Sequence, residues 1–184
     1  MGQARCSNGL ARLLLANNQL DSVEDAASHT IDLVSEKGNG YIVCQSHHTL
    51  GNIYYRKREK GRAIHHFETA LEIASLFDRQ DQLFWIHYAL VSLFLGEHDF
   101  NDTQAHVEQA KSHSAEDRYQ IGRAMEMQAR IWYRKCRLED IPFEIWGALE
   151  IFEEFGAVED AETCRDLLRM AEEAMRSKST GTRE

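Results

Sequence analysis

The chain repeats itself. Tyr55-Arg56-Lys57 followed by Ala70-Leu71-Glu72-Ile73 returns, with the same internal spacing, as Tyr133-Arg134-Lys135 followed by Ala148-Leu149-Glu150-Ile151. The interval between the two copies holds one more unit. Leu90, Phe94, Val107 and Ala110 follow Leu50, Tyr54, Phe67 and Ala70, each by the same step, and that step taken backwards gives Leu10, Leu14, Ala27 and Thr30, a weaker fourth copy. A period of this length marks small units that cannot bury their apolar faces alone and must stack on their neighbours.

Each unit reads as two helices. Ala63, Phe67, Ala70, Leu71, Ala74 and Phe77 follow the i, i+3, i+4, i+7 rule of one helix face. Runs of β-branched residues with period two are absent. Breaks fall at Lys37-Gly38-Asn39-Gly40, Asp78-Arg79-Gln80-Asp81, Gly96-Glu97-His98-Asp99 and Gly156. Pro142 sits near a helix start, where its missing N–H does least harm. The expected helices span about 3–17, 21–37, 40–57, 60–77, 80–95, 99–113, 116–135, 139–155 and 158–176, with a polar, disordered tail over 177–184.

Leu50-Gly51-x-x-Tyr54, then Ala63, Phe67 and Ala70, resembles the tetratricopeptide repeat (TPR) pattern L-G-x-x-Y…A-x-x-x-F…A at every one of those positions. The resemblance covers about residues 4–170 and implies an all-α fold: a right-handed superhelical array of antiparallel helix pairs, a TPR-like α-solenoid. It implies about four repeats, 3–37, 40–77, 80–113 and 116–155, closed by a polar-backed capping helix over 158–176. In this family, small residues such as Gly51, Ala63 and Ala70 let paired helices approach, while Tyr54 and Phe67 fill the gaps between hairpins. The sequence departs from the pattern at His47, where tryptophan is usual, and in lacking the closing proline. Its period is also longer, about 40 against the usual length of about 34. The longer period resembles kinesin-light-chain-like arrays and the TPR arms of fungal signalling NTPases of the STAND class (NACHT or NB-ARC type), as does Ala70-Leu71-Glu72-Ile73-Ala74. The chain has no P-loop, so within such a lineage it would be the sensor arm or a free-standing relative.

The resemblance also implies a ligand site. The first helix of each pair lines a concave groove, and its positions carry over to Arg5, Asn8, Arg12 and Leu15 in the first unit. They carry over to Gln45, His48, Asn52, Tyr55 and Arg56 in the second, and to Trp85, Tyr88 and Ser92 in the third. The fourth offers Arg123, Glu126, Arg130, Tyr133 and Arg134. Six of these are arginines and one is glutamate, whereas the second helices carry Glu68, Glu72, Glu108, Glu150, Glu153 and Glu154. The expected array is therefore polarised, with a basic, aromatic-lined inner face suited to an acidic peptide or domain. His48 and Asn52 stand where some TPR proteins clamp a C-terminal carboxylate, but the full clamp is not reproduced. Trp132 and Trp146 fall near packing positions and are expected between helices. The competing reading is a structural or oligomerisation module whose inner face is self-occupied.

Other chemistry is excluded or left without support. A net charge of −9 disfavours nucleic acid as partner. No run approaches the roughly 20 apolar residues of a membrane span, and Leu13-Leu14-Leu15 is too short for a signal peptide, so a cytoplasmic protein without a membrane partner is expected. Met1-Gly2-Gln3-Ala4-Arg5-Cys6 misses an acylation signal at Cys6. Cys6, Cys44, Cys136 and Cys164 form no CxxC pair. His47-His48 and His65-His66 are adjacent pairs. Across a hairpin His47 could meet His65, or His48 meet His66, yet no metal-ligand spacing exists. No nucleophile motif occurs. The expectation is no catalytic residue, no metal and no cofactor.

Overall fold

The computed structural model describes residues 20–35, 39–96, 100–114 and 117–181. The expected helix 3–17, with Arg5, Cys6, Asn8, Arg12 and Leu15, lies outside them. Among the described residues there are eight α-helices and no strand. They are α1 (Leu20–Ser35), α2 (Gly40–Arg56), α3 (Lys60–Leu76), α4 (Gln80–Gly96), α5 (Phe100–His113), α6 (Arg118–Arg134), α7 (Ile141–Glu154) and α8 (Val158–Gly181), with a 3₁₀ turn at Leu138–Asp140. The chain divides into two compact units, Met1–Leu93 and Phe94–Glu184.

The helix ends show the repeat in the backbone. α2 starts at Asn39, whose side chain accepts from the Ile42 N–H, and α6 starts at Asp117, which accepts from the Tyr119 and Gln120 N–H groups. The offset between these two caps is the one that sets Tyr133 on Tyr55 in the sequence. Arg58, Asp78, Cys136 and Gly156 follow α2, α3, α6 and α7 in the left-handed region, with φ of 61°, 48°, 56° and 65°. Behind each, the next N–H reaches back into the last helical turn: Glu59 to Tyr54, Arg79 to Ala74, Arg137 to Trp132 and Ala157 to Phe152, at 2.8–3.0 Å. This is the Schellman closure, which satisfies carbonyls that the helix leaves open. Only one of its four left-handed positions is glycine, so three of the turns hold a strained residue.

In the first unit α2 and α3 form an antiparallel hairpin flanked by α1 through Val23 and Ala27. Leu50, Ile53, Tyr54, Ala63, Phe67 and Ala70 are buried, as the repeat pattern requires. Gly51 is small for a reason: a Cβ there would lie 2.5 Å from the Phe67 ring. In the second unit α6 and α7 repeat the hairpin, and α8 packs along them through Ala161, Cys164, Leu167 and Ala171. The same stations are filled with exchanged bulk. Where α2 and α3 pair Gly51 with Phe67, α6 and α7 pair Ala129 with Ile145. Where α2 and α3 use Cys44 and Ala74, α6 and α7 use Gly122 and Phe152, with the Phe152 ring 3.2 Å from where a Gly122 Cβ would be.

Two expectations fail. Trp146 is not buried; it is 58% exposed. In the register that sets Tyr133 on Tyr55 it matches Glu68 on the outer side of α3, while Ile145 takes the buried station of Phe67. Trp132 is partly buried against the second unit's core. The last helix does not stop at 176 but continues to Gly181, since nothing between Ser177 and Thr180 breaks it.

Candidate partner-binding faces

In the first unit, Gln45, His48, Asn52 and Tyr55 fall at i, i+3, i+7 and i+10 along α2, which places them on one face. The Tyr55 hydroxyl donates to the Ser92 carbonyl of α4 at 3.3 Å, and the Ser92 hydroxyl donates to the Tyr88 carbonyl at 3.2 Å. The rings of Trp85 and Tyr88 meet edge to face at 5.7 Å. Tyr55 of α2 thus touches Ser92 of α4, and Trp85 and Tyr88 neighbour each other along α4. Tyr55 and Arg56 are exposed, and Trp85 and Tyr88 are partly so.

The polar groups on this face are largely neutral. Gln45 donates its amide to the Tyr41 hydroxyl at 2.6 Å, and Asn52 donates to the His48 carbonyl at 3.1 Å. The His48 ring lies 5.9 Å from that of Phe67, and burial pushes its pKa down to about 4, so it carries no charge at neutral pH. A neutral imidazole makes no ion pair with a carboxylate, which weakens the analogy to a carboxylate clamp.

The second unit treats the same stations differently. Arg123, Glu126, Arg130 and Tyr133 on α6 occupy the stations of Gln45, His48, Asn52 and Tyr55 on α2. Glu126 is 1% exposed, with Arg130 Nε at 2.5 Å and Arg123 at 3.6 Å. Arg123 also meets Asp160 of α8 at 2.6 Å, and Asp160 accepts from the Tyr119 hydroxyl at 2.6 Å. Burial first, then this bond, raises the Tyr119 pKa. Tyr133 packs against the core. The positive charge expected on the face is therefore largely neutralised here: two of the arginines balance a buried carboxylate and a carboxylate of α8, and Arg134 alone of the three is exposed. A buried carboxylate without such partners would cost several kcal/mol.

Sequence reasoning missed a polar network at the α1–α2–α3 junction. Glu24 accepts from Lys57 at 2.5 Å and from the Tyr54 hydroxyl at 2.5 Å, and Lys57 also reaches Asp21 at 2.6 Å. The bond from Lys57, then that from Tyr54, lowers the Glu24 pKa. The Arg62 guanidinium lies 3.8 Å from the Tyr54 ring centroid. His47 meets neither of the expected arrangements; its Nδ1 lies 2.9 Å from Nδ1 of His66. One ring must donate and the other accept. Burial lowers both pKa values, that of His66 to about 4, so the pair is neutral at neutral pH. The sequence signal was His47 itself, standing where the repeat pattern has tryptophan. No group of three or more His, Cys, Asp or Glu fit to hold a metal occurs among the described residues. Burial raises the thiol pKa of Cys44 to about 11 and of Cys164 to about 12, which keeps both unreactive.

Helix pairs, recurring caps and the contact between the first helices α2 and α4 define an all-α helical-repeat protein. Residues 44–76, which span the α2–α3 hairpin, match the model of the tetratricopeptide repeat family. No curated protein matches the chain. Among solved structures, the crystal structure of BtubC (BKLC) from P. vanneervenii is similar in fold, with a TM-score of 0.56 at 15% identity, covering 95% of this chain and 90% of that one. Among the described residues no helix is long and apolar enough to cross a membrane.

Proposed function

We propose that this chain is a protein-interaction module, not an enzyme, and that its first unit binds a peptide or domain segment on the α2–α4 face. Tetratricopeptide repeats in general mediate protein–protein contacts. The observation that carries the reading is the bond from the Tyr55 hydroxyl of α2 to the Ser92 carbonyl of α4, the helix that also carries the partly exposed Trp85 and Tyr88. It sets aromatic surface beside amide donors and acceptors, and rigid aromatic groups supply most of the contact energy at such faces. Arg56, exposed at its edge, favours an acidic ligand. Resemblance to the arms of STAND-class NTPases makes a sensor or scaffold role within a larger signalling protein the natural setting.

The test is affinity capture with the wild type and with Tyr55→Ser/Arg56→Glu, both of which sit at exposed positions. Loss of a partner with helicity unchanged supports the reading. Identical captures overturn it. A charge reversal at Arg130 is unsuitable, because it would set a carboxylate against buried Glu126. A second reading, a structural module with self-occupied faces, is favoured in the second unit by the contact of Arg123 with Asp160. A chain that sediments as a monomer and retains an accessible Tyr55 counts against self-occupation in the first unit.

A further inference from the structure

From Leu138 to Cys164 the chain has nine Asp and Glu residues and not one Lys, Arg or His, so this stretch alone carries a charge equal to the net −9 of the whole protein. It contains α7, whose inner side is fixed: Ile141, Ile145, Ala148 and Phe152 are buried, and Gly147 sits so close to Met125 of α6 that a Cβ would lie 2.7 Å from the Met125 methyl carbon. The opposite side is uncovered among the described residues. Phe143 is 82% exposed and Trp146 is 58% exposed, one helical turn apart. Glu139 lies in the 3₁₀ turn that leads into α7, four residues before Phe143, and Glu150 follows Trp146 by one turn of α7; both are exposed. Asp140, Glu153, Glu154 and Asp160 are matched by Arg137, Arg165, Arg118 and Arg123. Glu139 and Glu150 have no such match among the described residues.

We infer that this outer face of α7 is a docking site for a cationic, amphipathic helical segment of a partner protein, with an apolar anchor over Phe143 and Trp146 and Lys or Arg at Glu139 and Glu150. Large exposed aromatics framed by one sign of charge select both for apolar contact and for the opposite charge. An uncharged apolar ligand would leave the two carboxylates partly desolvated and unpaired, and an acidic ligand would be repelled. The step from Glu139, through the end of the 3₁₀ turn and along α7, to Glu150 is about 17 Å, which sets the spacing of the ligand's basic residues. This site is distinct in chemistry from the α2–α4 face, and neither depends on the other.

The probe is a synthetic helical peptide with Leu and Phe along one stripe and Lys residues at that spacing, together with a twin carrying Glu for Lys. Binding is read by fluorescence anisotropy at low salt. The cationic peptide is expected to bind the wild type, to weaken as salt rises, and to bind Phe143→Ser/Trp146→Ser at least tenfold more weakly. Glu139→Lys/Glu150→Lys is expected to reverse the preference between the twins. All four side chains are exposed, so circular dichroism should not change. Tyr55→Ser/Arg56→Glu should leave binding of this probe intact, which separates the two proposals. Equal binding of the acidic twin, full affinity in Phe143→Ser/Trp146→Ser, or no binding of the cationic peptide at low salt would overturn the inference. A concentration-dependent dimer abolished by Phe143→Ser/Trp146→Ser would also overturn it, by making a second copy the occupant.

Discussion

The exchange of bulk between the two hairpins can be tested by making one imitate the other. Gly51→Ala places a methyl 2.5, 2.6 and 2.9 Å from three atoms of the Phe67 ring, which is fully buried and has nowhere to retreat. Overpacking of this kind costs about 1–3 kcal/mol. Replacing glycine within a helix returns about 0.5–1 kcal/mol, so the single change should destabilise by roughly 1–2 kcal/mol. Phe67→Ile alone removes ring atoms and leaves a void; full truncation of a buried Phe costs about 3–5 kcal/mol, so the smaller change should cost about 1–2 kcal/mol. Together they recreate the Ala129–Ile145 pair, both members of which are fully buried in the second unit. The added methyl then enters the space the ring has left. The double variant should be more stable than the sum of the singles predicts by at least about 1 kcal/mol, within the range seen for residues in contact. The assay is urea unfolding by circular dichroism, with hydrogen exchange at α2 and α3 to place the effect in the first unit. Additivity to within about 0.5 kcal/mol would refute the argument that these stations trade volume.

Three further outcomes are expected. Protonation of His48 and His66 is disfavoured in the folded chain, with both pKa values near 4 against an ordinary 6.5. The unfolded state then binds more protons below pH 6.5, so stability falls as pH drops from about 6.5 towards 4; His66→Asn should flatten that slope in denaturation at stepped pH, and an unchanged slope would show that His66 plays no part. Arg58→Gly and Cys136→Gly relieve left-handed backbone and should each raise the midpoint of thermal unfolding, by up to about 1 kcal/mol of stability, whereas a fall in either would contradict the Schellman assignment. Glu126→Ala should cost about 2–3 kcal/mol, less than the roughly 3–5 kcal/mol of a fully buried pair because Arg130 still reaches solvent, while Arg123→Gln/Glu126→His/Arg130→Asn, the trio of α2, should be close to neutral in the same assay.

The fold was legible because it rests on spacing. Leu50, Gly51, Tyr54, Ala63, Phe67 and Ala70 state a hairpin, and the return of Tyr55-Arg56-Lys57 as Tyr133-Arg134-Lys135 states it twice. Spacing does not carry the orientation or the partner of a side chain. Trp146 lies one position past the buried station, and one position is about 100° of helix rotation, enough to turn a core side chain outward. In an antiparallel hairpin several cross-pairs fit the register, and the same rotation chose His47 with His66. The arginines of α6 add little net charge to the face, because Glu126 stands at i+3 from Arg123 and at i−4 from Arg130, the spacing at which helix side chains pair.

What the two hairpins share and what they do not divides structure from function. Caps, left-handed closures and the positions of buried side chains recur in one register, so these are requirements of the hairpin itself. The remaining stations are under no such requirement, and they differ. Gln45, His48 and Asn52 on α2 become Arg123, Glu126 and Arg130 on α6, turning a neutral face into an internal ion trio. On the second helices, Glu68 on α3 becomes Trp146 on α7, and His65, exposed on α3, becomes Phe143. An exposed polar position that gains an aromatic ring gives up favourable hydration and contributes nothing to the core. Two such changes, one turn apart on a helix whose buried side is fully engaged, are not explained by the stability of the hairpin. A partner covering that face explains both.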